Sequence, residues 1–151
     1  MKLRRLMAIG MTVALTATMF SGVSVYAESS DPEPFKIGFP WDTANTDPTW
    51  ISIYNNVKAA VESAGGELVN VVTDNSADGL IDNISELISR DVDGILFMPA
   101  SDSMLPAVDA MCADAGVYWG TMFRTISDDD IREAMYDSEW FAGGCNEDDE
   151  T

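Results

Sequence analysis

Short apolar runs alternate with amphipathic stretches along most of this sequence, and that alternation constrains the fold more than any other feature. Residues 35–39 (FKIGF), 68–72 (LVNVV), 94–98 (GILFM), 117–123 (VYWGTMF) and 140–145 (WFAGGC) have the length and content of strands. Between them run helical stripes. Trp50, Ile53, Tyr54, Val57, Val61 and Ala64 share one face; Leu80, Ile81, Ile84, Leu87 and Ile88 form a second stripe; Leu105, Val108, Met111, Cys112 and Ala115 form a third. Gly65-Gly66 and Gly116 stop the first and third helices, and Ser127 with Asp128 to Asp130 caps a short one bearing Ile131, Ala134 and Met135. Methionines 98, 104, 111 and 135 fall on these strands and stripes and are expected in the core. Strand and helix in strict alternation predict an α/β fold, a doubly wound parallel sheet covered on both faces. Ligands of such sheets sit beyond the carboxyl ends of the strands, where strand order reverses. Attention therefore falls on the loops beginning at Pro40, Thr73, Pro99, Arg124 and Asn146.

Residues 1–27 are read as an export signal rather than as part of the fold. Lys2, Arg4 and Arg5 precede a largely apolar stretch, residues 6–20, and Val25-Tyr26-Ala27 supplies a cleavage site. Residues 28–34 follow as a polar spacer, and residues 35–151 are the folded part. The whole chain of 151 residues carries a formal charge of −18; beyond Ala27 five basic residues face all 26 acidic ones, a charge of −21. Such a surface repels nucleic acid and anionic lipid.

The sequence has no histidine, which excludes His-based acid–base catalysis and His-liganded metal sites. Cys112 and Cys145 lack CxxC spacing, sit in apolar patterns, and are expected as buried free thiols. No Gly-rich phosphate cradle follows the first strand, so dinucleotide and triphosphate cofactors are not indicated; no cofactor is expected.

The loop PWDTANTDPTW, residues 40–50, is long for a strand-to-helix connection. It offers Asp42, Asn45 and Asp47 for hydrogen bonds and Trp41 and Trp50 as flat surfaces, a combination suited to a polyhydroxylated ligand. The alternative is purely local: Asp47 or Thr49 caps the helix, Pro48 starts it, and Trp50 packs on the core. Arg124, at the end of the fourth strand, can present its planar fork to paired hydroxyls or a carboxylate, or can pair with one of many acids. Ser101 and Asp102 are read as helix caps, and Asp128 to Asp130 as a solvated helix start without Ca²⁺-loop spacing.

KIGFP, NTDPTW entering a helix, VKAAVESAGGELV, the block ISRDVDGILFMPASDSMLPAVDAMCADAGV and the strand end MFR resemble the periplasmic sugar-binding proteins of the ribose-binding type. These are the type I solute-binding components of ABC importers. The resemblance spans residues 36 to about 149 and implies two similar α/β lobes closing on a ligand, without catalysis. It also implies a first lobe that is Rossmann-like or flavodoxin-like and here incomplete, since the second lobe and the hinge segments are missing. Carried over by position, the ligand-binding residues are Asp47, Thr49, Trp50, Met98, Phe123, Arg124 and Asp148. Met98 stands where the family often has an amide, and Phe123 where simple-sugar binders often have Asp, so the implied cleft is less polar than usual. The implied partners are a small solute, a carbohydrate above all, and the membrane permease of an ABC importer; the implied location is the periplasm or cell exterior. Three other readings compete: an exported enzyme on a flavodoxin-like sheet, the effector-sensing half of a transcription regulator, and a non-functional truncated remnant. The missing nucleophile constellation counts against the first. The export signal and the absence of a basic helix-turn-helix segment count against the second.

Overall fold

The computed structural model describes residues 34–145. The export signal, all of the spacer except Pro34, and Asp148 lie outside the described residues. Within them the order is β1 (Lys36–Pro40), α1 (Pro48–Ser63), β2 (Glu67–Val71), α2 (Ala77–Ser89), β3 (Gly94–Phe97), α3 (Leu105–Ala115, entered through a 3-10 turn at Asp102–Met104), β4 (Tyr118–Met122), α4 (Asp129–Tyr136) and β5 (Phe141–Cys145). The strands form one wholly parallel sheet in the order β2-β1-β3-β4-β5. This is the doubly wound arrangement expected from the alternation, and its direction reverses between β1 and β3.

Side-chain alternation along the strands divides the core in two. Val71, Ile95, Phe97 and Trp119 face Leu80, Ile84 and Leu87 of α2, Leu105, Val108 and Cys112 of α3, and Met135 of α4. On the other face Phe39, Leu68, Leu96, Met98 and Met122 meet the α1 stripe of Trp50, Ile53, Tyr54 and Val57. None of the α1 residues is fully buried, whereas α2 and α3 each bury three, so α1 is the more lightly held helix. No helix among the described residues is long and apolar enough to cross a membrane.

Local chemistry sets the helix ends. Asp47 caps α1, with Pro48 in the first turn. The α2 cap is Ser76, and the α3 helix stops at Gly116, whose φ of 70° is the left-handed conformation that costs other residues a Cβ clash. Three expectations need correction. The cap of α4 is Asp128, accepting from the Ile131 amide, rather than Ser127. Cys145 is exposed at the edge strand β5, whereas Cys112 is buried as expected; a strand with a neighbour on one side only cannot cover all its side chains. Ser101 makes no side-chain cap, while Asp102 uses its carboxylate to accept from the Ser127 and Asp128 amides at 2.7 and 3.0 Å, tying two loops together.

Candidate functional site

The residues beyond the carboxyl ends of the strands begin with the loop after β1. Much of its polarity serves its own backbone. Asp42 accepts from the Ala44 amide at 3.0 Å, Asn45 from the Asp47 amide at 2.9 Å, and Asp47 from the Thr49 and Trp50 amides at 2.8 and 3.3 Å. These are side-chain-capped turns, each taking a backbone donor that would otherwise need water. Asp47 is thus the helix cap, and Thr49 beside it is exposed. Replacing Asp47 with Ala should cost about 1 kcal/mol of stability. A urea titration that showed no fall in the midpoint would mean that water caps α1 equally well.

Trp41 is not an available ring. It is 1% exposed, stacked at 5.0 Å on Phe39 and at 4.5 Å on Trp50, and its Nε1 donates to the Trp50 carbonyl at 3.2 Å. It therefore builds the floor on which Trp50 lies. Trp50 itself is half-buried, and its Nε1 is buried without a hydrogen-bond partner among the described residues. A cavity of about 120 Å³ beside it is lined by Asp42, Asn45, Trp50 and Tyr54, among others.

Met98 and Phe123 join Trp50 in the apolar cluster on the α1 face. Phe123 has φ 62°, a conformation rarely adopted by a bulky residue, and its amide donates to the Cys145 carbonyl at 2.8 Å. The turn this creates at the end of β4 separates two neighbours. Phe123 packs towards α1, while Arg124 borders a small cavity of about 40 Å³ with Thr121, Ile126, Arg132, Tyr136 and Phe141. Ile126 and Phe141 belong to the opposite core. Arg124 is exposed, donates through Nη1 to the Ala100 carbonyl at 3.2 Å, and makes no ion pair among the described residues. The expected alternative for Arg124, a surface salt bridge, is therefore not what these residues show.

Of the positions marked from the sequence, the fold gathers Trp50, Met98 and Phe123 on one apolar cluster, turns Arg124 towards the other side of the sheet, and uses Asp47 at a helix end. Tyr54 and Arg132 were not marked as site residues. Tyr54 is detectable as the residue one helical turn beyond Trp50, but nothing local shows that Arg132 on α4 returns to the end of β4. A larger cavity, about 480 Å³, lies elsewhere: an apolar groove over β3, β4 and β5 on the α1 face, floored by Leu96, Gly94 and Gly120. It lacks the few convergent polar groups that orient a small ligand. Among the described residues no three His, Cys, Asp or Glu side chains are grouped to hold a metal ion. Burial, reinforced by nearby Asp109, pushes the Cys112 thiol up to about 12, leaving it protonated and inert.

No family model matches the chain, and no curated protein matches it by sequence. Solved structures do match. An ABC transporter solute-binding protein from Mycobacterium smegmatis with bound glycerol aligns over 63% of this chain and 33% of its own, at 21% identity and a TM-score of 0.55. A periplasmic one from Actinobacillus succinogenes with bound D-allose aligns over 66% and 35%, at 18% identity and a TM-score of 0.55. One from Clostridium phytofermentans with bound β-D-glucose aligns over 64% and 29%, at 19% identity and a TM-score of 0.53. The chain thus spans about a third of the length of the structures it matches. At these identities the likeness establishes the architecture: the described residues have the α/β lobe fold of ABC-transporter solute-binding proteins.

Proposed function

We propose that residues 35–151 form part of the first lobe of an exported solute-binding protein serving an ABC importer, with residues 1–27 as its export signal. The lobe binds a sugar or sugar-like polar solute at the carboxyl ends of its strands and hands it to a membrane permease without catalysis. The observation that carries this reading is the packing of Trp50, in the first turn of α1, and of Met98 and Phe123, just beyond β3 and β4, on one apolar cluster, with Arg124 following Phe123 on the far side of its turn. An apolar platform next to a multiple donor matches a ring with C–H faces and hydroxyl edges. The solved structures of like fold, described by their bound glycerol, D-allose and β-D-glucose, support the solute class. Thr49, exposed at the start of α1, and Asp148 would complete the wall, and Asp47 would act on the solute only through the oxygen not used for capping. A single wall cannot bury most of a ligand, so tight binding requires a second lobe.

Titrating ¹⁵N-labelled protein with D-allose and D-glucose tests this. The expected result is a localised, non-saturating shift at millimolar sugar of the Trp50 indole and the Met98, Phe123 and Arg124 amides, lost in Trp50→Ala. Shifts spread evenly over the surface, or confined to the groove over β3 to β5, would remove the assignment.

A further inference from the structure

We infer that the solute carries an acidic group, a carboxylate or phosphate, and that Arg124 selects it; this rests on the solute-binding reading above. The inference starts from a charge imbalance. Beyond Ala27 the chain has five basic residues against 26 acidic ones, so a cation without an acidic partner is unexpected. Lys58, Arg90 and Arg132 are paired with Glu62, Glu86 and Asp129. Lys36, which makes no ion pair among the described residues, starts β1 at the opposite end of the sheet. Among the described residues Arg124 is the cation without an ion pair at the carboxyl ends of the strands, holding a single carbonyl through Nη1. Among the described residues its Nε and Nη2 have no hydrogen-bond acceptor, and together they form the parallel pair of donors that fits an oxyanion.

Among the described residues no acidic side chain pairs with that charge. Phe123 and Met98, the flanking wall, are apolar. Asp102, on the loop that also supplies Ala100, is held through Oδ2 by the Ser127 and Asp128 amides and makes no ion pair with Arg124. Arg132, already satisfied by Asp129 and the Ile126 carbonyl, adds a second guanidinium to the same cavity. At about 40 Å³ that cavity holds one oxyanion group or about one or two waters, and not a sugar ring. The ring would rest on the apolar platform and its acidic substituent would reach past Phe123 to Arg124. When an opposing lobe closes and excludes water, a guanidinium without a counter-charge is strongly disfavoured, and the solute supplies that charge.

The test compares three matched probes on the full chain at low salt: D-glucose, D-glucuronate and D-glucose 6-phosphate. The initial slope of the chemical-shift change at the Trp50 indole and Arg124 Nε reports relative affinity. At least one acidic probe should exceed D-glucose by about tenfold, as expected for a charge-assisted bond at 1.4 kcal/mol per decade. In Arg124→Gln the ratio of the acidic to the neutral slopes, read at the Trp50 indole, should fall to about one, whatever the absolute response to D-glucose becomes. The larger of the two acidic slopes identifies carboxylate or phosphate. Equal slopes for all three probes would overturn the inference but keep the solute site, the counter-charge then coming from the protein. An acidic preference that survives Arg124→Gln would also overturn it. No response of Trp50 to any probe would overturn the underlying solute-binding reading, and this inference with it.

Discussion

Replacing Trp41 with Ala should destabilise the protein by about 3–5 kcal/mol, the range for deleting a fully buried large aromatic. The residue is 1% exposed and stacks on both Phe39 and Trp50. Its indole also closes the loop by donating to the Trp50 carbonyl at 3.2 Å. Because α1 buries no residue completely, this stack is a large share of what holds the helix to the sheet. Loss of the ring should therefore loosen α1 first, visible as faster amide exchange along Pro48–Ser63 with β3 and β4 still protected. Trp41→Phe, which keeps an aromatic but loses the hydrogen bond, should cost less than half as much. Urea unfolding of the two variants decides the matter. An Ala variant within about 1 kcal/mol of the parent would show that α1 is held by its other contacts.

Trp119→Ala should have an effect of similar size, about 3–5 kcal/mol, by a different route. Trp119 is 1% exposed, packs on Phe141 at 4.5 Å and Phe97 at 6.0 Å, and donates from Nε1 to Asp109 Oδ1 at 2.8 Å. The same oxygen accepts from the Ser138 hydroxyl at 2.6 Å, so one carboxylate links α3, β4 and the segment entering β5. Removing the indole opens a cavity and withdraws a donor from a part-buried acid. Trp119→Phe separates the two contributions: it restores much of the packing and should recover all but about 1–2 kcal/mol, the cost of the lost donor. If Phe were as damaging as Ala, the hydrogen bond to Asp109 would outweigh the packing. If Ala were nearly neutral, β5 would be held without Trp119. Neither substitution touches Arg124, so the acidic-solute test is independent of both.

The local rules of the chain account for much that the structure shows. Hydrophobic period places all five strands and α1, α3 and α4 within one or two residues of their observed bounds, and finds α2 from Leu80 although it starts at Ala77, because the period depends on which residues are neighbours along one element. Asp47, Pro48 and Gly116 mark helix ends through hydrogen bonds and backbone conformations spanning a few residues. Other properties depend on pairings between distant segments. The order β2-β1-β3-β4-β5 decides that Cys112 is enclosed by two packed layers while Cys145 lies on an edge. It also decides that Trp41 lies under Trp50 rather than open to a solute, although both rings carry the same signal in the loop sequence. The left-handed turn at Phe123, which sends that ring and the Arg124 side chain towards opposite cores, has no signature in the residues themselves, since Phe has no intrinsic preference for it. Whether Arg124 finds an acid depends on which of many acidic side chains the fold brings within reach, and composition alone favours the wrong answer. Local residue patterns specify the elements and most of their ends. Burial and the convergence of Trp50, Met98 and Phe123 follow from tertiary contacts, because each depends on residues far apart in the chain, whereas the three ion pairs join residues three or four apart on one helix.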